Sequence, residues 1–334
     1  MEAMRLRGFL LILVLSLSSF LYTIFLLAPA IPLLLVPPPL YMGARHIYRR
    51  WMGFVAYLWF ALASYLLETF CGIKVLLSGD PVPCGESALI ICNHRCRVDW
   101  MFLWCMCLRQ GQLSGLKIVL KDALKSVPGF GWAMQMFMFV FLARDRRRDV
   151  VHMRRVGRYL HFHGVPTSLL IFPEGTDLSA NNLKKSQAFA AERGLPLYKH
   201  ILHPKVKGFS ECLQVLRPQL DAVHDVTIAY RDYKKGERAS EEALLAGQFP
   251  REVHMHVKRH SVQDMPLEEE EVQEIGACGQ VVSRLGTLRH DDATRIRIGG
   301  RCLQGTKIVF AVLCLSACGY ATPVRGLWCR EAFA

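Results

Sequence analysis

A histidine and an aspartate stand five residues apart in Asn93-His94-Arg95-Cys96-Arg97-Val98-Asp99-Trp100, directly after the apolar run Ala88-Leu-Ile-Ile-Cys92. A run of that kind reads as a buried strand, and the end of a strand is where α/β sheets place reactive groups. With His94 in the loop and Asp99 just inside the next helix, the carboxylate can reach back to one imidazole nitrogen. That contact fixes the tautomer and raises the basicity of the other nitrogen, so His94 reads as a general base and Asp99 as its orienter. No serine stands in the motif, so the attacking hydroxyl has to come from a substrate. Alone the pair says little, because a chain with 12 histidines places one near an acid by chance.

Three further constellations accompany it. Leu169-Leu-Ile-Phe172-Pro173-Glu174-Gly175-Thr176 is a strand that stops at Pro173 and turns through Gly175, presenting Glu174 and the Gly175 and Thr176 amides at the sheet edge. The plainer reading is a strand-to-helix turn in which Thr176 or Asp177 caps the next helix. The apolar stretch Phe137 to Leu142 runs to Arg144, which can grip a phosphate bidentately, whereas Arg146 to Arg148 read as solvated or touching lipid headgroups. In Lys121-Asp-Ala-Leu-Lys-Ser-Val-Pro128-Gly-Phe-Gly131 a lysine opens a short helix that Pro and Gly close.

The elements that must position these residues alternate. Ser87 to Cys92, Leu116 to Leu120, Phe137 to Leu142, Ser168 to Phe172, Val226 to Tyr230 and Glu252 to His260 read as strands. Val98 to Arg109, Asp149 to His163, Lys184 to Arg193 and Phe209 to Leu220 read as helices, and mobile loops are expected at Leu178 to Leu183 and Lys234 to Ser240. Strand then helix, repeated, predicts an α/β fold with a mostly parallel sheet flanked by helices.

Ahead of that domain the chain is apolar. No charged residue occurs from Gly8 to Ala44, and Phe9 to Ala28 is a run of 20 residues, long enough to span a bilayer. A cleaved signal peptide is the competing reading, although its apolar region is ordinarily about 7 to 15 residues. After the basic cluster Arg45, His46, Arg49 and Arg50, the 17 residues from Trp51 to Leu67 either cross or lie at the interface with their aromatic rings at headgroup level. The expected organisation is a membrane anchor over 1–70, a catalytic domain over 71–266 and a tail over 267–334 with a short apolar segment, Ile308 to Tyr320. The acidic run Glu268 to Glu271 reads as a solvated linker.

Composition narrows the classes. The 334 residues are 52% hydrophobic and 21% charged, with a net charge of +13 and a mean hydropathy of +0.22, which excludes a disordered or fibrous chain. The 12 cysteines lie mostly in apolar stretches and read as buried thiols, and the asparagines Asn93, Asn181 and Asn182 stand in no glycosylation sequon. The basic excess flanks apolar segments, which favours phosphate-bearing lipids and an anionic membrane surface over nucleic acid.

Asn93-His94-x4-Asp99, Lys121-x2-Leu124-x3-Pro128-x2-Gly131, Phe141-x2-Arg144, Phe172-Pro-Glu-Gly-Thr176 and Leu202-His-Pro204 occur in the order and spacing of the glycerophospholipid acyltransferases. The chain resembles that family, 1-acylglycerol-3-phosphate acyltransferase-like, over roughly Pro29 to Pro266, and within it the lysocardiolipin acyltransferase branch. The resemblance implies acyl transfer from acyl-CoA, as co-substrate, to a free hydroxyl of a lysophospholipid: lysocardiolipin, lysophosphatidylglycerol, lysophosphatidylinositol or lysophosphatidic acid. It implies His94 as base, Asp99 as orienter and Lys121 as oxyanion stabiliser. Asn93, Arg144, Phe172, Pro173, Glu174, Gly175 and Thr176 would serve substrate binding, Arg144 with Glu174, Gly175 and Thr176 holding the glycerophosphate part, and Pro204 would belong to the wall of the acceptor or acyl-CoA pocket. It also implies a part in cardiolipin remodelling, while Arg45 to Arg50 and the missing sequons lead us to expect an endoplasmic reticulum membrane protein, multi-pass or hairpin-anchored, with its site facing the cytosol. Cys96 stands where the branch has Thr or Ser, at a position expected to tolerate exchange, and after Pro266 the likeness ends.

The chemistry agrees with the resemblance. A thioester needs a base and an oxyanion donor but no metal or bound cofactor, and both substrates are amphiphiles met at a bilayer. An acyl-CoA hydrolase and a catalytically impaired lipid-binding protein of the same fold are the rival readings.

Overall fold

The computed structural model describes residues 2–37, 40–143, 145–231 and 240–265. The expectations for Arg144, for most of Lys234 to Ser240, for the acidic run and for Ile308 to Tyr320 fall outside those residues.

Helix α1 (Glu2–Tyr22) runs on through a π turn at Thr23–Leu27 into a 3-10 segment over Ala28–Leu34. Pro29 and Pro32 lack an N–H, and the tighter winding begins where those donors are lost. Helix α2 (Tyr41–Tyr65) continues as a π turn over Leu66–Phe70. Two stretches, Arg5–Leu34 and Tyr41–Phe70, are each long and apolar enough to cross a membrane. The second is therefore 30 residues long, where the apolar run Trp51 to Leu67 alone was borderline.

Next in the chain come β1 (Lys74–Gly79), β2 (Ala88–Cys92), α3 (Asp99–Arg109), β3 (Leu116–Lys121), α4 (Phe130–Met136), β4 (Val140–Leu142), α5 (Arg146–Phe162), β5 (Ser168–Ile171), α6 (Ala180–Glu192), α7 (Val206–Leu216), β6 (Ala222–Arg231), α8 (Glu241–Leu245) and β7 (Glu252–Ser261). Seven strands among the described residues form one sheet in the order β1-β7-β6-β2-β5-β3-β4. All pairings are parallel except β6 with β7. Strand β2 lies at the centre with all five residues buried, as an unbroken apolar run requires.

Both faces are covered. On one, α2 and α3 meet through Trp59, Phe60 and Trp104, with the Phe60 and Trp104 ring centroids 4.7 Å apart. That hydrophobic core extends from Leu11 and Tyr48 to Met255 and Val257, so the N-terminal helices and the sheet share one interior. On the other face, Met153, Val156 and Leu160 of α5 pack with Phe209, Leu213 and Leu216 of α7.

Two local expectations are corrected, and two elements go beyond them. Leu178 to Leu183 is not a loop throughout: the Ser179 hydroxyl accepts from the Asn182 N–H and starts α6 at Ala180. The strand expected from Phe137 begins at Val140, because the preceding residues end α4 and Met138 takes a positive φ of 62°. Pro128 and Gly129 close the 3-10 turn Asp122–Ser126, but Gly129, at φ 72°, then launches α4. Strand β1 escapes the hydrophobic pattern because it is a short, partly exposed edge strand opening on Lys74.

Candidate active site

His94 leaves the carboxyl end of β2, and Asp99 is the first residue of α3. His94 Nδ1 lies 3.0 Å from Asp99 Oδ2, and Asp99 is fully buried. A buried carboxylate requires donors, and this one has four. Besides the imidazole, the Cys96 amide donates to Oδ2 at 3.0 Å, the Cys96 thiol donates to Oδ1 at 3.0 Å, and the Tyr230 hydroxyl donates to Oδ1. Burial and the neighbouring carboxylate push both the Cys96 thiol and the Tyr230 phenol well up, so both keep their protons and act as donors. Cys96 is buried and bonded to the orienting carboxylate, where its thiol makes the donation that the hydroxyl of a Thr or Ser could make.

With Nδ1 engaged, Nε2 is the nitrogen open to chemistry, and it has no partner among the described residues. The imidazole stacks on Phe172, centroids 4.2 Å apart and planes 22° from parallel, which fixes its tilt. Asn93 pins the loop to β6: its Oδ1 accepts from the Ile228 N–H at 2.7 Å and its Nδ2 donates to the Ile228 carbonyl at 3.1 Å.

Glu174 ties three loops together. Its Oε1 accepts from the His94 N–H at 2.8 Å and its Oε2 from the Leu202 N–H at 2.9 Å. The side chain is buried, and burial pushes its carboxyl up to about 7 against the pull of those two donors. Both oxygens are thus committed to backbone, so Glu174 holds the loops in place. Gly175, at φ 71°, makes the turn, and its N–H donates to the Phe172 carbonyl at 2.9 Å instead of facing outward as the sequence suggested. The Thr176 hydroxyl accepts from Asn182 Nδ2 at 3.1 Å, and the Pro173 carbonyl accepts from the Lys205 N–H at 2.8 Å, which brings Pro204 alongside.

The structure therefore brings together Asn93, His94, Asp99, Phe172, Pro173, Glu174, Gly175, Thr176 and Pro204 at the carboxyl ends of β2 and β5. Lys121 is exposed at the end of β3 and makes no hydrogen bond or ion pair with another described residue. Arg144 lies outside the described residues. Tyr230, 131 residues from Asp99, carried no signal in the sequence, since only the fold brings the end of β6 over α3.

A model of the acyltransferase family matches residues 74–231. Lysocardiolipin acyltransferase 1 of Danio rerio is 44% identical over 78% of this chain and 65% of that protein. The protein of the same name from Gallus gallus is 42% identical over 80% of this chain and 68% of its own length. The chain thus spans about two thirds of these relatives. The crystal structure of the 1-acyl-sn-glycerophosphate (LPA) acyltransferase PlsC from Thermotoga maritima is similar with a TM-score of 0.48 and 17% identity, over 89% of this chain and 96% of that one.

Proposed function

The chain belongs to the acyltransferase family, and from that premise we propose that it transfers a fatty acyl group from acyl-CoA to a free hydroxyl of a lysophospholipid, with His94 as general base. The observation that carries this reading is the His94 imidazole, held at Nδ1 by a buried, four-donor carboxylate with Nε2 uncommitted.

A lipid hydroxyl has far too high a pKa to ionise near neutrality, so the proton must leave as the oxygen attacks. The acceptor oxygen bonds to the thioester carbonyl carbon while Nε2 takes the hydroxyl proton. Asp99 stabilises the imidazolium so formed. As the tetrahedral intermediate collapses, the carbon–sulfur bond breaks and the CoA sulfur takes the proton from Nε2, which returns the base to its starting state. Lys121 is the proposed donor to the oxyanion. Glu174 and Phe172 are positioning residues: one holds the His94 backbone, the other the plane of its ring.

The proposed acceptors are lysocardiolipin, lysophosphatidylglycerol, lysophosphatidylinositol and lysophosphatidic acid, met at the endoplasmic reticulum membrane, and the names of the lysocardiolipin relatives favour a role in cardiolipin remodelling. The test is transfer from labelled oleoyl-CoA by microsomes carrying the protein, against that panel of four and beside the His94→Ala variant. Product formed with at least one acceptor and lost in the variant supports the reading. Acyl-CoA consumed without an acceptor makes it a hydrolase, and equal results for the two proteins overturn His94 as base.

A further inference from the structure

At the end of the sheet away from His94 stands a cluster of cations that the proposed reaction does not use. Lys117 is the second residue of β3, and Met136 and His163 stand shortly before β4 and β5, so the cluster gathers at the amino ends of these strands. Strand β4 pairs only with Val119, Leu120 and Lys121, which leaves the start of β3 without a strand on that side. Arg49 of α2 reaches in there. Its Nη1 donates to the Met136 carbonyl at 3.3 Å, and its guanidinium lies over the rings of Tyr48 and Tyr159, 4.4 and 5.4 Å from their centroids. The Tyr159 ring in turn meets His163, centroids 4.5 Å apart, and one helical turn before Arg49 the Arg45 guanidinium lies over the Tyr41 ring at 3.9 Å. Lys117 is 4% exposed, and its ammonium donates only to the adjacent Leu116 carbonyl, at 3.2 Å. These groups feel one another. Burial pushes Lys117 down to about 7, with the Arg49 charge adding to it, and His163, lowered first by burial, is pushed further by Arg49, His46 and Arg45.

No protein anion answers this charge. Among the described residues Arg45, Arg49, Lys117 and His163 have no carboxylate within ion-pair distance, and the Nε atoms of Arg45 and Arg49 are buried with no hydrogen-bond partner. Enclosed charge is costly unless paired, so cations packed together in this way select an anion. The rim says which kind. Phe162, whose ring meets His163 edge-on at 5.3 Å, is 69% exposed, and Met42, on the same face of α2 as Arg45 and Arg49, is 49% exposed. Arginines that can grip a phosphate, bordered by exposed apolar side chains at the start of an apolar helix, suit a phosphate that carries acyl chains. We propose that Arg45, Arg49, Lys117 and His163 form a binding site for the phosphate of an anionic bilayer phospholipid, with Met42 and Phe162 against its chains. The site is separate from the catalytic one, because it lies at the opposite end of β3 from Lys121, and it stands independently of the acyl-transfer reading.

The test uses the full chain in detergent, stripped of lipid and titrated with phosphatidylglycerol, with phosphatidylcholine of the same chains, and with glycerophosphate, which has the phosphate but no chains. Bound lipid is counted by native mass spectrometry. Phosphatidylglycerol is expected to bind about tenfold tighter than either of the others. Arg45→Gln removes a charge-assisted bond and should weaken it about tenfold, Arg45→Glu more, and Arg45→Lys should keep most of the affinity. Lys117→Met gives a readout that misfolding cannot imitate. Without the buried cation it should melt at or above the wild-type temperature in detergent alone, yet lose most of the rise that phosphatidylglycerol gives the wild type. In Arg45→Gln and Lys117→Met the KM for the lysophospholipid acceptor should change less than about twofold. A KM that rises in step with the lost binding makes the cluster part of the substrate site and overturns the proposal. Equal binding of phosphatidylcholine, or wild-type binding by Arg45→Glu and Lys117→Met, reduces the cluster to packing on tyrosines and overturns it too. Glycerophosphate bound as tightly as phosphatidylglycerol overturns the lipid in favour of a soluble phosphate. A protein that holds phosphatidylglycerol through the cluster yet transfers nothing would sink the acyl-transfer reading alone.

Discussion

Two of the histidine–carboxylate pairs in and beside the sheet have opposite fates. His94 and Asp99 are 3.0 Å apart at the carboxyl end of β2; His224 and Glu86 are 2.8 Å apart near the start of β6. The first histidine hangs from a loop with 15% of its side chain exposed, and its second nitrogen is open. The second is wholly enclosed, its Nδ1 has no partner, and its carboxylate is also gripped by Arg259. The pairing distance does not make a base. What matters is whether the nitrogen opposite the carboxylate reaches a place where a substrate can stand.

Five substitutions sharpen the contrast, in falling order of effect on turnover. His94→Ala should lower the transfer rate by about 10² to 10⁴ with little change in lysolipid binding, and Asp99→Asn should approach it, because the amide no longer holds the required tautomer. A rate within threefold of wild type in either would remove the pair from the mechanism.

Glu174→Gln comes next. An amide cannot accept from both the His94 and Leu202 N–H groups, so kcat should drop by about tenfold through a displaced loop. Its second readout is pH. The carboxyl is raised from 4.5 to about 7 by burial, so ionising it opposes folding: stability is greatest below about 4.5 and falls as pH rises towards about 7. Melting curves of the variant should lack that slope, and an unchanged slope would contradict the burial argument.

Tyr230→Phe removes one of four donors to Asp99, so a loss of about three- to tenfold is expected. A carboxylate with fewer donors holds the imidazole proton harder, and the acid limb of the rate profile should move to higher pH. A purely structural tyrosine would lower the rate without moving that limb.

Glu86→Gln tests the other pair. It strips Arg259 and His224 of their anion and should cost about 1 to 3 kcal/mol of stability while kcat stays within twofold. A large drop in kcat would mean that the two ends of the sheet are coupled.

The legible parts of this chain were those whose partners are near in sequence. His94 and Asp99 are joined by one strand end and one helix start, and the turn at Phe172 to Thr176 is written in Pro and Gly. The alternation of apolar strands and helices likewise revealed the mostly parallel sheet. What stayed hidden depends on distant closure. The Glu174 latch crosses 80 residues to His94, and the Tyr230 donor crosses 131 to Asp99. Neither leaves a local pattern, because each is decided by strand order: β2 lies between β5 and β6, which sets both side chains against its loop. The bond from the Cys96 thiol to Asp99 is hidden for a related reason, since a position between motif residues carries no pattern that points its side chain at the carboxylate.

The shared interior of α2 and the sheet bears on how this enzyme can be handled at the bench. A fragment cut just before Ile73, made to be water-soluble, would lose Trp59 and Phe60 from against Trp104, and Glu68 from Arg109. The underside of the catalytic layer would be left as a bare aromatic surface, prone to clump. Whatever the helix does in a bilayer, it also roofs the protein's own interior, and a preparation that keeps the activity has to keep the helix and bring detergent along with it.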